Sequence, residues 1–115
     1  MGNEFEIESV SALGKVLTIV CHGSGGHPAL NLIRQSIEGW MGKHPHEKLE
    51  EIVLDLAAVE YAWGDWPATS IMGFLRRGVR TFRLIANPQN RKSLENLVNP
   101  MRQIGFSVEE RPSVS

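Results

Sequence analysis

The chain has 115 residues, 42% apolar and 22% charged, a balance that describes one soluble domain large enough to bury about two thirds of its unfolded surface. A single cysteine, Cys21, excludes an internal disulfide framework, and no apolar run reaches the length of a membrane span. The net charge of −1 divides unevenly, with ten acids and four bases up to Asp65 (net −6) against three acids and eight bases from Trp66 onward (net +5).

In chain order, Phe5 and Ile7 alternate with Glu4, Glu6 and Glu8, which predicts a half-buried strand. A turn at Leu13, Gly14 and Lys15 leads into an apolar run, Val16, Leu17, Ile19 and Val20, so the first two strands form an antiparallel hairpin. Three glycines and a proline within residues 22–28 predict a loop there. Leu30, Ile33, Ile37, Trp40 and Met41 then recur at helical spacing up to Gly42, where that helix should stop.

Residues 51–78 are the stretch around which the chain is organised. Ile52, Val53, Leu54 and Leu56, interrupted only by Asp55, read as a strand buried on both faces. A loop over residues 61–66 carries Tyr61, Trp63, Asp65 and Trp66. Pro67 then suits the first turn of a helix running through Ile71, Met72 and Leu75 to Gly78. Residues 81–86 predict another strand, residues 87–90 a turn with Asn90 as N-cap, and Leu94, Leu97, Val98, Met101 and Ile104 a third helix broken by Pro100 near Val98 or Asn99. Gly105 stops it, residues 106–108 form a short last strand, and residues 109–115 are expected to be a flexible tail beyond a single domain of residues 1–108. The order β-β-α-β-α-β-α-β implies an α/β fold: a mixed sheet with an antiparallel first hairpin, parallel central strands, and helices mainly on one face.

That order, with the strand I-V-L-D-L-A-A-V, the helix ending in Gly78, the strand R-L-I-A-N and the closing Ile104, Gly105, Phe106, resembles a STAS domain, the fold of bacterial anti-sigma-factor antagonists and of some anion-transporter tails. The resemblance covers nearly the whole chain and rests on pattern, since apolar strands and glycine-ended helices are common. Antagonists of that family carry Asp-Ser-Ser-Gly after the third strand, where a partner kinase phosphorylates a serine. Counted without gaps from Asp55, Trp63 falls on the motif's aspartate, Gly64 and Asp65 on the two serines, and Trp66 on the glycine. Slipped by two residues, Asp65 takes the aspartate and Trp66 and Pro67 the serines. Either alignment removes the phosphorylatable hydroxyl.

Asp65 is then either a helix N-cap or a permanent negative charge at a helix start. Thr69 and Ser70 are hydroxyls in the first turn. Tyr61, Trp63 and Trp66 can plug the core, anchor a partner, or line a lipophilic pocket with Trp40 and Met41; relatives of the fold are described as lipid- or small-ligand-binding.

The segment C-H-G-S-G-G-H is the most enzyme-like. It lacks the companions of a hydrolase oxyanion loop and of a phosphate loop, so it reads as a turn feeding a helix, with anion binding at Gly25, Gly26 and His27 the other reading. Cys21 and His22, adjacent in a strand, would point to opposite faces, and the spacings of His22, His27, His44 and His46 match no metal set. The bases of residues 76–102 read as solvated helix ends and loops, without a nucleic-acid partner. The acidic start is not expected to act as a signal peptide, and the lone thiol fits a reducing compartment. The expectation is therefore a cytoplasmic, non-enzymatic STAS-like module, without cofactor or metal, that binds a protein partner (an anti-sigma-factor, a kinase-like protein or another signalling protein) through Tyr61, Trp63, Asp65, Trp66, Thr69 and Ser70. A small-ligand or anion-binding domain of the same fold is the alternative, and a homodimer is compatible with either.

Overall fold

A computed structural model describes residues 5–24, 27–61, 78–98 and 105–111. In chain order these hold β1 (Glu6–Leu13), β2 (Val16–Ser24), α1 (His27–Lys43), β3 (Glu51–Tyr61), β4 (Thr81–Ala86), α2 (Arg91–Val98) and β5 (Phe106–Glu110). They form one mixed sheet in the order β1-β2-β3-β4-β5, antiparallel between β1 and β2 and parallel thereafter. Residues 67–77 of the expected helix, the break near Pro100, and residues 112–115 of the expected tail lie outside the described residues.

The register sorts the side chains into two faces. Ala12, Leu17, Ile52, Phe82 and Phe106 lie in one cross-strand row, and Val10, Ile19, Leu54, Leu84 and Val108 in the next. From β2 to β4 these side chains are fully buried, and the rings of Phe82 and Phe106 stack with centroids 5.0 Å apart. Ile33 and Ile37 of α1 and Leu94 of α2 close the same cluster, so both described helices cover this face. The cause is topological. Each parallel connection steps in the same direction across the sheet, and right-handed crossovers that step one way deliver their helices to one side. Each large aliphatic chain so buried contributes about 1.5–3 kcal/mol by leaving water.

The opposite face is polar. Its rows run Thr18, Val53, Arg83, Ser107 and Val20, Asp55, Ile85, Glu109. Arg83 reaches Glu109 through two bonds of 2.9 and 3.1 Å and Glu51 through one of 3.2 Å, and the Thr81 hydroxyl donates to Glu51 at 3.0 Å. The paired bonds from Arg83 hold the Glu109 carboxyl below its usual range. β3 is therefore not buried on both faces as its apolar run predicts. Val53 is 5% exposed, but Glu51 and Asp55 on the same side stay partly open to solvent.

Several boundaries differ from expectation because pairing overrides local signals. β2 runs through Ser24, across the predicted loop, since His22, Gly23 and Ser24 find partners at Ala58, Val59 and Tyr61 on the long β3. β1 extends to Leu13 and is exposed along most of its length, with Phe5 and Ile7 packing against the core edge. α1 continues one residue past Gly42. β5 continues through Glu110, two residues into the expected tail, and the Arg111 N–H donates to the Ala86 carbonyl at 2.7 Å.

Backbone geometry calls for glycine at Gly14 and Gly105, among others. Gly14 opens the two-residue hairpin loop with φ +63°, as a type II′ turn demands. Gly105 enters β5 with φ +103°, and a Cβ there would sit 2.2 Å from the Arg80 carbonyl oxygen. The same peptide is pinned on its other side by the Phe82 N–H, 2.9 Å from the Gly105 carbonyl. Gly105→Ala is thus expected to lower unfolding free energy by more than about 1 kcal/mol. By contrast Gly39→Ala, in open space on α1, should raise it by up to about 1 kcal/mol; paired denaturant titrations check both signs.

Candidate functional site

The carboxyl ends of the parallel strands hold the least regular part of the sheet. β3 pairs with β4 only from Glu51 opposite Thr81 to Asp55 opposite Ile85, and then runs on to Tyr61 without that neighbour. On its other side four residues of β3, Asp55 to Ala58, span three of β2, Val20 to His22. This bulge resets the alternation, so that Leu56 and Val59 both enter the core although three positions apart.

The overrun leaves the carbonyls of Leu56, Ala57 and Val59 without a β4 ladder, and two asparagine side chains take its place. Asn87 Nδ2 donates to Ala57 O at 2.9 Å and Val59 O at 3.0 Å; Asn90 Nδ2 donates to Leu56 O and Val59 O, both at 3.0 Å. Their own oxygens are used as fully. Asn87 Oδ1 accepts the N–H groups of Gln89 and Asn90, and Asn90 Oδ1 accepts that of Asn87, all at 2.8 Å. With 3% and 2% exposure, these are the two buried polar residues among those described.

The expected N-cap role of Asn90 is thereby corrected. Its carbonyl accepts the first helical bond, from the Leu94 N–H, but its side-chain oxygen turns back to Asn87 and not to the helix. Asp55 anchors the outer side of the same junction, accepting the Ala57 N–H at 3.2 Å and pairing with the Arg111 guanidinium.

Of the predicted site residues, the structure describes Tyr61 and His27. Tyr61 is the last residue of β3 and His27 the first of α1. Trp63, Asp65, Trp66, Thr69, Ser70, Gly25 and Gly26 lie outside the described residues. Ser24 is the register partner of Tyr61, so β2 and β3 end side by side. Reading each loop separately missed that juxtaposition. It also missed Asn87, Asn90 and Arg111 as determinants of the edge; the available signal was a pair of asparagines flanking a turn directly after a buried strand.

Trp40 lies 13 residues beyond His27, about 20 Å along a helix at 1.5 Å per residue. It stacks on His44 at 4.2 Å, and the His44 Nδ1–H donates to the Trp40 carbonyl at 2.9 Å.

Nor do Cys21 and His22 form a nucleophile pair. Cys21 is fully buried on the helix face, where desolvation and then the charge of Asp55 push its thiol up to about 12. His22 is partly exposed and sits 3.5 Å from the Glu6 carboxylate. Among the described residues no three His, Cys, Asp or Glu side chains gather to hold a metal ion, and no helix is long and apolar enough to cross a membrane.

Because burial raises the Cys21 pKa above its ordinary 9.0, the stability tied to its protonated form is complete below pH 9 and is lost as the pH rises from 9 toward 12. A thiol reagent at neutral pH should accordingly label the denatured chain fully and the native protein only as fast as it opens, with Cys21→Ala giving no label in either state.

Against known proteins, no protein-family model matches the chain, and no curated protein matches it.

Proposed function

We propose that this chain is a STAS-like regulatory module, cytoplasmic and non-enzymatic, that binds an anti-sigma-factor, a kinase-like protein or another signalling protein through residues 61–70 and is not switched by serine phosphorylation. The observation that carries the reading is the overrun of β3 to Tyr61, clasped by Asn87 and Asn90. A strand end held by four side-chain hydrogen bonds gives the following segment a fixed point of departure. That segment carries Trp63, Asp65 and Trp66, residue types suited to anchoring a protein surface, and neither alignment to the family motif leaves a serine at the switch position. The sheet order supports the same choice. Among the described residues, strands in the order 1-2-3-4-5 contain no reversal of direction, and it is at such a reversal that open α/β sheets form a ligand crevice.

A second reading rests on the pairing of Ser24 with Tyr61, the residues that immediately precede Gly25, Gly26 and His27 in one case and residues 62–70 in the other. In that reading the start of α1 takes an anion, or the two segments together take a small ligand.

The test is a pull-down from the source cell with wild type and with Asp65→Ala plus Trp66→Ala, together with intact mass after incubation with kinase and ATP. The proposal expects a protein partner recovered by wild type and lost by the double variant, and no added phosphate. Stoichiometric phosphate on Thr69 or Ser70 would overturn the unswitched version. A co-purifying small molecule in native mass spectrometry, with equal protein recovery by both forms, would move the assignment to the second reading.

A further inference from the structure

We infer that β1 is a self-association edge: a second copy of this chain pairs with it antiparallel, about a two-fold axis at Val10, to make one continuous sheet across both copies. Among the described residues nothing pairs with the outer side of β1. The strand is eight residues long, with every side chain except Ile7 exposed. Native edges of this length are ordinarily blunted by lysine, proline or bulges. β1 contains neither lysine nor proline, and its single register shift lies between Ile7 and Ser9, which leaves residues 9–13 as a regular ladder.

The hairpin shows which backbone groups are free. Its two-residue loop is closed by Leu13 opposite Val16, and such a loop is closed by a hydrogen-bonded pair. Leu13, Ser11 and Ser9 therefore turn their N–H and C=O groups toward β2, while Val10 and Ala12 turn theirs outward. A two-fold axis at Val10 lets the N–H of each copy's Val10 meet the C=O of the other, and nearly the whole strand overlaps.

The side chains in that register favour a second copy over a foreign strand. Ser9 falls opposite the other copy's Ser11, and Glu8 opposite its Ala12. The acidic end of one strand, Glu6 and Glu8, meets the Gly14 and Lys15 turn of the other, so no like charges face each other. An axis at Glu8 would instead set that acid against itself. Apolar surface at this edge is also uncovered: Val10 is 38% exposed, and Leu32 is 40% exposed on α1, which packs near β1. One hundred degrees around the helix from Ile33, Leu32 lies on the flank away from β3. None of these residues belongs to residues 61–70, so the two proposals fail independently.

Sedimentation equilibrium of wild type, Val10→Lys, Val10→Glu and an equimolar mixture of the two variants tests it. Wild type should sediment as a dimer. Each variant alone should fall to one chain mass while keeping the wild-type circular dichroism spectrum, and the mixture should recover two. Hydrogen exchange of wild type, which needs no substitution, should show the Val10 and Ala12 amides gaining protection as concentration rises. A wild type that stays at one chain mass at every concentration would overturn the inference, as would a dimer unaffected by Val10→Lys or β1 amides that exchange independently of concentration.

Discussion

The arrangement depends most on the substitution of two asparagine side chains for a missing strand. Where β4 stops at Ala86, β3 still has five residues to run. Buried carbonyls without partners would each cost about 1–3 kcal/mol. Asn87 and Asn90 supply donors from the turn that starts α2, and the same two oxygens hold that turn closed. One cluster thus ends β4, starts α2 and supports the far end of β3. The bulge at residues 55–58 is tolerated because its freed groups are met in this way, and the bulge in turn returns Val59 to the core.

One-sided winding explains why the opposite face of the sheet is polar. Both described helices lie on the face built from Leu17, Ile52, Phe82 and their row neighbours, so the other face must satisfy itself. It does so with ion pairs between neighbouring strands, Glu51 to Arg83 and Arg83 to Glu109, and with one that spans β4, Asp55 to Arg111. Exposed pairs of this kind stabilise little individually; their effect is to fix register and to fasten the end of β5 across β4 to β3. The carboxyl edge is the border between the two faces, where ladder pairing ends and side chains take over.

Much of this was legible from residue order. β4 coincides with its predicted span because alternation, length and flanking turns agree there. The hairpin and the stripe of Ile33 and Ile37 also read directly, since period and punctuation coincide. What could not be read came from contacts distant in sequence. Glycines at 23 and 25 signalled a loop, yet β2 continues to Ser24 because β3 is there to receive it. Asn90 carried the local signature of an N-cap, but its amide donates to carbonyls more than thirty positions earlier and its oxygen accepts from the Asn87 N–H. Glu109, Glu110 and Arg111 looked like a polar tail because their partners, Arg83, Arg91 and Asp55, lie on other elements. For the candidate site, the pattern put Tyr61 in a loop, whereas it is the last residue of β3, and it did not show the clasp that supports that strand end.

Asn87→Asp and Asn90→Asp test the clasp most directly, because aspartate keeps the shape and the accepting oxygen while replacing the amide donors. Denaturant unfolding of each variant and of the pair should show a loss of at least about 2 kcal/mol for either change. The double variant should depart from additivity by at least about 0.5 kcal/mol, because both amides share the Val59 carbonyl. Losses within about 0.5 kcal/mol, as for ordinary surface substitutions, would contradict the account, since the end of β3 would then be held by something other than these two side chains.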